Sequence, residues 1–419
     1  MDNVTFRAEI HEQIEKAGNA DILVGIPSFN NARTIGHVVR AVQAGLAKYF
    51  PDHKAVIVNS DGGSSDGTME VVHKTSVEDF NAILLHHRVK PISKLAFSYS
   101  GIPGKGSAFR SIFEIAQRLD AKACVVVDSD LRSITPEWVE LLVKPVLNGG
   151  FDYVAPLYHR HKFDGTITNS IVYPLTRTLY GKRLRQPIGG DFGFSGKLAQ
   201  FYLTKDVWES DVARFGIDIW MTTTAIANGF KVAQSFLGAK IHDAKDPGAD
   251  LSNMLYQVVS ATFDLMENYA DVWVPIRGSE PVTTFGFEYT VGLEHVNVNT
   301  ARMLKLFRES LNNLREIWLD ILGAGDLREV ERLGALSDGE FDFPLSLWTR
   351  IIYDYAIAFH QKKLPTEHLI KSLTPLYVGK TASFILAAEQ MEAAEAEAEI
   401  EKLCMEFESS KDYLATRWK

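Results

Sequence analysis

Asp128 and Asp130 stand one residue apart at the end of the run Ala123-Cys-Val-Val-Val-Asp-Ser-Asp130. A divalent cation is a hard ion that takes carboxylate oxygens together with the oxygens of a diphosphate, so two carboxylates placed this way have a chemical use. The apolar residues before them predict a strand buried on both faces. If the strand runs from Ala123 to Asp130, its pleat turns both aspartates to one side, at the carboxyl end where open α/β sheets bind ligands. The same tripeptide also occurs as an ordinary solvated turn.

Other stretches offer chemistry beside a plainer reading. In Gly101-Ile-Pro-Gly-Lys105-Gly106, glycines flank a lysine just ahead of a helix expected near Ser107. That suits close approach to a phosphate, or a flexible surface loop. His159-Arg160-His161-Lys162 is the densest cationic run. It reads as a solvated face or as an anion grip, with Arg160 suited to a carboxylate. Gly189-Gly190-Asp191 is a surface turn or a means of placing Asp191 close to a substrate, and Asp218 caps a helix or meets a ligand. Asp61, ending a strand, is a better ligand candidate than Asp66, which reads as the cap of the next helix. On the residues alone His242 is a surface histidine in preference to a metal ligand.

The elements that must hold these residues follow a strand, loop, helix rhythm, the pattern of a parallel sheet. Strands are expected at Asp21 to Ile26, breaking at Pro27, and at Val56 to Asn59, Ala82 to Leu85, Tyr153 to Pro156 and Lys231 to Leu237. Helices are expected at 5–18, from Arg33 to Tyr49 and from Pro136 to Leu147. From about Asp250 amphipathic helices take over, with Met303, Leu304, Phe307, Leu311, Leu314, Ile317, Trp318 and Ile321 on one face. Leu347 to Phe359 reads the same way, and the Ala- and Glu-rich tail from Ala387 through Glu401 predicts one long helix. The division expected is an α/β domain over 1–250 and a mainly helical domain over 251–419.

The chain of 419 residues carries a formal charge of -9, from 53 acidic and 44 basic residues spread along it. With no basic face, nucleic acid is not an expected partner. Two cysteines, Cys124 and Cys404, argue against a disulfide scaffold and a cysteine-built zinc site. No stretch of about 18 apolar residues predicts a membrane span. The N-terminus does not read as a signal peptide, so the expectation is a cytoplasmic protein.

Taken together, Ile26-Pro27-Ser28-Phe29-Asn30, Pro103-Gly104-Lys105-Gly106, Asp128-Ser129-Asp130, Gln186-Pro187-Ile188-Gly189-Gly190-Asp191, Gly216-Ile217-Asp218 and His242 resemble, in their order, the GT-A glycosyltransferases. Within these the set is similar to the retaining mannosylglycerate synthase and glucosyl-3-phosphoglycerate synthase families, over about residues 20 to 275. The resemblance implies a Rossmann-like nucleotide-diphospho-sugar transferase domain. It would place Pro27, Asn31, Asp61, Lys105 and Asp128 at the donor, and Asp130 and His242 on Mg2+ or Mn2+. Asp191 and Asp218 would meet the transferred sugar or the acceptor, and Arg160 and Thr168 the acceptor's carboxylate. Two departures stand out: Asn30-Asn31 where an acid is usual, and Thr166 where an arginine would grip an acceptor phosphate.

The implied chemistry is transfer of glucose or mannose, with retention, from a nucleotide-diphosphate sugar to D-glycerate or a related small hydroxy acid, as in compatible-solute synthesis. The alternatives are 3-phosphoglycerate as acceptor, for which His159, His161 or Lys162 would replace the arginine, and an inverting family-2-type transferase with Asp191 as general base. A sugar-nucleotide pyrophosphorylase would need a Gly-rich loop where this chain has Pro-Ser-Phe-Asn. A non-catalytic scaffold would have no use for the cation ligands. A homodimer through the helical region is also expected.

Overall fold

The computed structural model describes residues 8–75, 90, 92–99, 102–241, 251–289, 293, 296 and 298–418. His242 and the strand expected at Ala82 to Leu85 lie outside them. The chain forms two compact units, one of residues 1–159, 188–244 and 282–293 and the other of 160–187, 245–281 and 294–419. Among the described residues no helix is long and apolar enough to cross a membrane.

The strands in chain order are β1 (Ile22–Ser28), β2 (Ala55–Asp61), β3 (Ile92–Ser98), β4 (Ala123–Val126), β5 (Tyr153–His159), β6 (Lys182–Arg183), β7 (Phe192–Ser195), β8 (Val232–Ala239), β9 (Glu280–Pro281) and β10 (Thr283–Phe285). In the first unit eight of them make one sheet, ordered β10-β8-β5-β7-β4-β1-β2-β3. Every pairing is parallel except those of β7, which runs against both β4 and β5. β1, β2 and β4 are buried along their whole length, as helices on both faces of a parallel sheet require. From β1 the chain builds β2 and β3 to one side and then returns to place β4 on the other. Between the carboxyl ends of β1 and β4 lies a topological switch point, the usual ligand crevice of such sheets.

Three expectations need correction here. β1 continues through Pro27 to Ser28, because pairing with β4 stops at Gly25 and beyond it only β2 flanks the strand. Proline, lacking an N–H, is tolerated where one side is unpaired. β4 stops at Val126, so pleat alternation does not orient Asp128 and Asp130; both sit on the following loop, Asp130 in a turn. β3 and β7 add to the strands expected: β3 is an edge strand whose signal is confined to buried Leu95 and Phe97, and β7 is four residues long.

The second unit is helical apart from the β6–β9 pair. Its core holds Trp318, Trp348, Tyr353, Tyr355 and Phe407, all fully buried. Of the apolar face read from sequence, Leu304 and Phe307 lie on helix Thr300–Asn313, and Trp318 and Ile321 on helix Arg315–Gly334, with Leu314 between the two. The tail is not one helix. Thr366–Ala388 ends, and Ala393–Ser409 starts afresh with Glu392 and Glu395 forming a reciprocal cap. Lys162 Nζ donates to the carbonyls of Glu389 and Met391 in this break, at 2.9 and 2.7 Å.

Candidate functional site

At the carboxyl end of the sheet in the first unit, five ionisable side chains alternate in sign. Lys105 Nζ lies 2.8 Å from Asp128 Oδ1 and 3.1 Å from Asp218 Oδ1. Lys240 Nζ lies 2.7 Å from Asp128 Oδ2 and 2.7 Å from Asp191 Oδ2. Asp128 therefore sits between two ammonium groups, and Asp218 and Asp191 form the ends of the chain of charges. Each member comes from a different element: Asp128 from the loop after β4, Asp191 from just before β7, Lys240 from just after β8. Lys105 is the first residue of helix Lys105–Arg118, and Asp218 lies in the first turn of helix Ile217–Ala227. The antiparallel course of β7 is what brings Asp191 to this end, because its amino end points where its neighbours' carboxyl ends do.

Asp191 is wholly buried. Its Oδ1 accepts the backbone N–H of Asp128 at 2.8 Å, and its Oδ2 accepts from Lys240 and from the hydroxyl of Tyr158. Burial pushes its carboxyl up, as it does that of Asp218. Burial acts the same way on Asp128, but the ammonium groups of Lys105 and Lys240 outweigh it and hold that carboxyl well below the usual range. For Lys105 burial would favour the neutral amine, yet Asp128 and Asp218 keep it protonated beyond its ordinary value. The result is a preorganised, largely desolvated set of charges, where an interaction with a developing charge is stronger than in water.

Gly190 has a positive φ of 89°. A Cβ there would stand 2.3 Å from Asp128 Oδ2 and 3.0 Å from Lys240 Nζ. Gly190→Ala is therefore expected to destabilise the protein by more than about 1 kcal/mol, the order of cost of a non-glycine residue held at such a φ, and to disturb the Asp128–Lys240 pair. Urea unfolding of the variant against the parent checks this; equal midpoints would contradict it.

The glycines around Lys105 serve a different end from the one expected. A Cβ on Gly104 would come 2.4 Å from Ala213 O, and one on Gly106 1.9 Å from Val212 O. They let the start of the helix approach the backbone at 212–214, and that approach positions Lys105.

The remaining donor candidates lie on neighbouring loops of the same unit. Asn31 Oδ1 accepts from Phe29 N at 3.0 Å and from Ser129 Oγ at 2.8 Å, tying the loop after β1 to the Asp128–Asp130 loop. Pro27 is buried in β1. Asp61 is fully buried, and accepts from Ser28 Oγ, Gly63 N, Ser64 N and Ser64 Oγ, which accounts for the lone-pair positions of a carboxylate. In this structure it organises its own loop. Asp66 accepts from Thr68 N and Ala32 N, while Gly67 takes the cap position with a positive φ of 90°.

For a divalent cation, the donor set divides. Asp128 and Asp218 already face ammonium groups, whereas Asp130, partly exposed on the same loop, pairs with none among the described residues and offers the hard oxygens that Mg2+ or Mn2+ takes. No group of three metal-capable side chains gathers among the described residues.

Arg160 and Thr168 belong to the second unit. There Arg160 Nη1 meets Asp164 Oδ2 at 3.2 Å, Thr168 opens the π-helical turn Thr168–Val172, and Thr166 Oγ1 shares a hydrogen bond with Tyr377 OH at 2.5 Å. Sequence reasoning missed Lys240 and Tyr158. The one available signal for Lys240 was a lysine set directly after a strand buried nearly end to end.

No family model matches the chain. It is 25% identical, over 298 residues, to glucosyl-3-phosphoglycerate synthase of Petrotoga mobilis, a match covering 64% of this chain and 83% of that protein. The chain is a distant homologue of that protein over this span. Among solved structures, it is similar to glucosyl-3-phosphoglycerate synthase of Mycobacterium tuberculosis in complex with Mn2+, UDP and glucosyl-3-phosphoglycerate, at 20% identity and a TM-score of 0.45, covering 64% of this chain and 88% of that one. The same enzyme with Mn2+, UDP-glucose and phosphoglyceric acid gives 21% identity and 0.44 over 64% and 88%, and with Mg2+ and UDP 20% and 0.45 over 64% and 87%.

Proposed function

We propose that this chain is a retaining glycosyltransferase that moves glucose from a nucleoside diphosphate sugar to 3-phosphoglycerate. The observation that carries the reading is the five-membered charge cluster at the carboxyl end of the sheet, in a chain whose curated relative is a glucosyl-3-phosphoglycerate synthase. D-glycerate, the acceptor expected from Arg160 and Thr168, becomes the second choice, because the relative's acceptor carries a phosphate. The catalytic part is assigned to 1–250 and the helical remainder to 251–419, except that 160–187 belongs to the helical unit and 282–293 to the sheet unit.

In this reading Lys105 leaves Asp128 or Asp218 to meet the donor's diphosphate and offsets the charge that grows there as the bond to the sugar's anomeric carbon breaks. Asp218, half freed, accepts from hydroxyls of the sugar or acceptor. Asp191 acts through its neighbours: it fixes Lys240 and the Asp128 backbone, so that Asp128 stays ionised and in place beside the ribose. The acceptor hydroxyl attacks the anomeric carbon from the side the diphosphate leaves, and its proton passes to the leaving phosphate. Asp130, with His242, would hold a Mg2+ or Mn2+ ion, which when bound supplies Lewis-acid neutralisation of the diphosphate.

The acceptor is tested by supplying the enzyme with UDP-, GDP- or ADP-glucose and either 3-phosphoglycerate or D-glycerate, and reading the anomeric configuration of the product by NMR. Preference for 3-phosphoglycerate with an α-linked product is expected. Preference for D-glycerate would restore the simpler acceptor, and a β-linked product would make the enzyme inverting.

A further inference from the structure

We infer that the helical unit carries a separate binding site for a small, singly charged organic acid, in a cavity that the buried Lys380 lines among mostly apolar walls. The cavity has a volume of about 220 Å³ and is bounded wholly by residues of that unit. Phe343, Leu345, Phe384, Ile400 and Leu403 supply the apolar surface. None of the residues assigned to donor chemistry lines it; Thr166, the position where an arginine would grip an acceptor phosphate, does.

Lys380 is 6% exposed, and its Nζ donates to Phe343 O at 2.9 Å. An ammonium has three N–H donors, so one neutral carbonyl leaves two directions. Among the described residues no carboxylate lies within ion-pairing distance of it. The two acids in the cavity wall are Asp342, which is exposed, and Glu399, whose Oε1 is held by Lys402 at 2.6 Å. A buried cation without a counter-ion is costly to the fold. Accordingly, burial pulls the Lys380 amine down to about 8.

A ligand carboxylate would provide the missing counter-charge while its hydrocarbon part covered Phe343, Leu345, Phe384 and Ile400. An amine would meet the lysine's own charge. A doubly charged phosphate would set two negative charges against one ammonium, with Asp342 and Glu399 nearby. A monocarboxylate with a short apolar body is the class that fits.

The test is calorimetric titration of the full chain with hexanoate, hexylamine and 1-hexanol at pH 6.5, where the ammonium is charged. Hexanoate is expected to bind at least tenfold more tightly than the other two, and to lose that advantage as pH rises from 6.5 to 9.5. Asp342 and Glu399 are the other charged groups of the cavity wall, and Lys380→Met separates its contribution from theirs: the variant is expected to bind hexanoate at least tenfold more weakly at pH 6.5. If that variant fails to fold, the pH series on the unaltered protein decides alone. Absence of hexanoate binding, equal binding of 1-hexanol, or affinity that does not change with pH or with Lys380→Met would overturn the site. Because Thr166 lines the cavity, hexanoate is also added to the glycosyl-transfer assay: unchanged transfer is expected, and inhibition competitive with the acceptor would make this the acceptor pocket and overturn a separate site.

Discussion

Lys105→Met lowers turnover by on the order of 10²- to 10³-fold, the usual cost of removing one preorganised donor from a developing anion. Lys105 is the group in the cluster best placed to exchange its present partners for a diphosphate. It stands at a helix start, its side chain is slightly exposed, and its two carboxylate partners lie at 2.8 and 3.1 Å. On the proposed mechanism the effect belongs in kcat more than in KM, because the charge that Lys105 would offset grows as the bond to the leaving diphosphate breaks. Steady-state kinetics read the split, and thermal unfolding controls for damage to the fold. A variant with parental kcat would remove Lys105 from the chemistry.

Lys240→Met has a larger effect on stability than on any single binding step. Its ammonium is the shared partner of the buried Asp191 and the partly exposed Asp128; Asp128 keeps Lys105, but leaving a buried carboxylate such as Asp191 without its ammonium costs roughly 3–5 kcal/mol. Asp191 Oδ2 and Asp128 Oδ2 each lie 2.7 Å from it, and Asp191 is fully buried. Urea unfolding near pH 7 should show the loss. Adding Asp191→Asn, which removes one stranded charge, should return part of it, and a double-mutant cycle measures the coupling. The sign with pH follows from Asp128: its carboxyl is depressed in the folded state, so the stability it contributes is present above the unfolded value of 3.8 and is lost as pH falls through the lower folded value. The deficit of Lys240→Met should therefore shrink in acid. A deficit that is small at pH 7, or constant down to acid, would mean that the pair is not a single electrostatic unit.

The parallel part of the sheet was legible because strands buried on both faces must be continuous apolar runs: Ile22–Ile26, Val56–Val58 and Ala123–Val126 carry little else. β7 was not, because a four-residue antiparallel strand gives no such run, and yet it is the strand that delivers Asp191. The candidate aspartates and Lys105 could be picked out locally, since each ends or follows a strand, opens a helix or, for Asp191, follows a glycine pair. Lys240 could not. Its meaning lies in contacts 112 residues away at Asp128 and 49 away at Asp191, which local spacing does not encode. Pleat alternation suggested that Asp128 and Asp130 act as a pair. The early end of β4 separates them instead into a residue locked between lysines and one that meets no ammonium among the described residues. The tail was misread for a related reason: Ala and Glu favour helix throughout, and only the Glu392–Glu395 cap marks where one helix gives way to the next.

The measurement that bears most directly on this account is nucleoside diphosphate release from UDP-, GDP- or ADP-glucose with 3-phosphoglycerate and Mn2+ or Mg2+, for the parent and for Lys105→Met side by side. The account predicts acceptor-dependent release from one donor, abolished by removing the cation and reduced at least a hundredfold in the variant. Release that needs neither acceptor nor cation, or that Lys105→Met leaves unchanged, would contradict it.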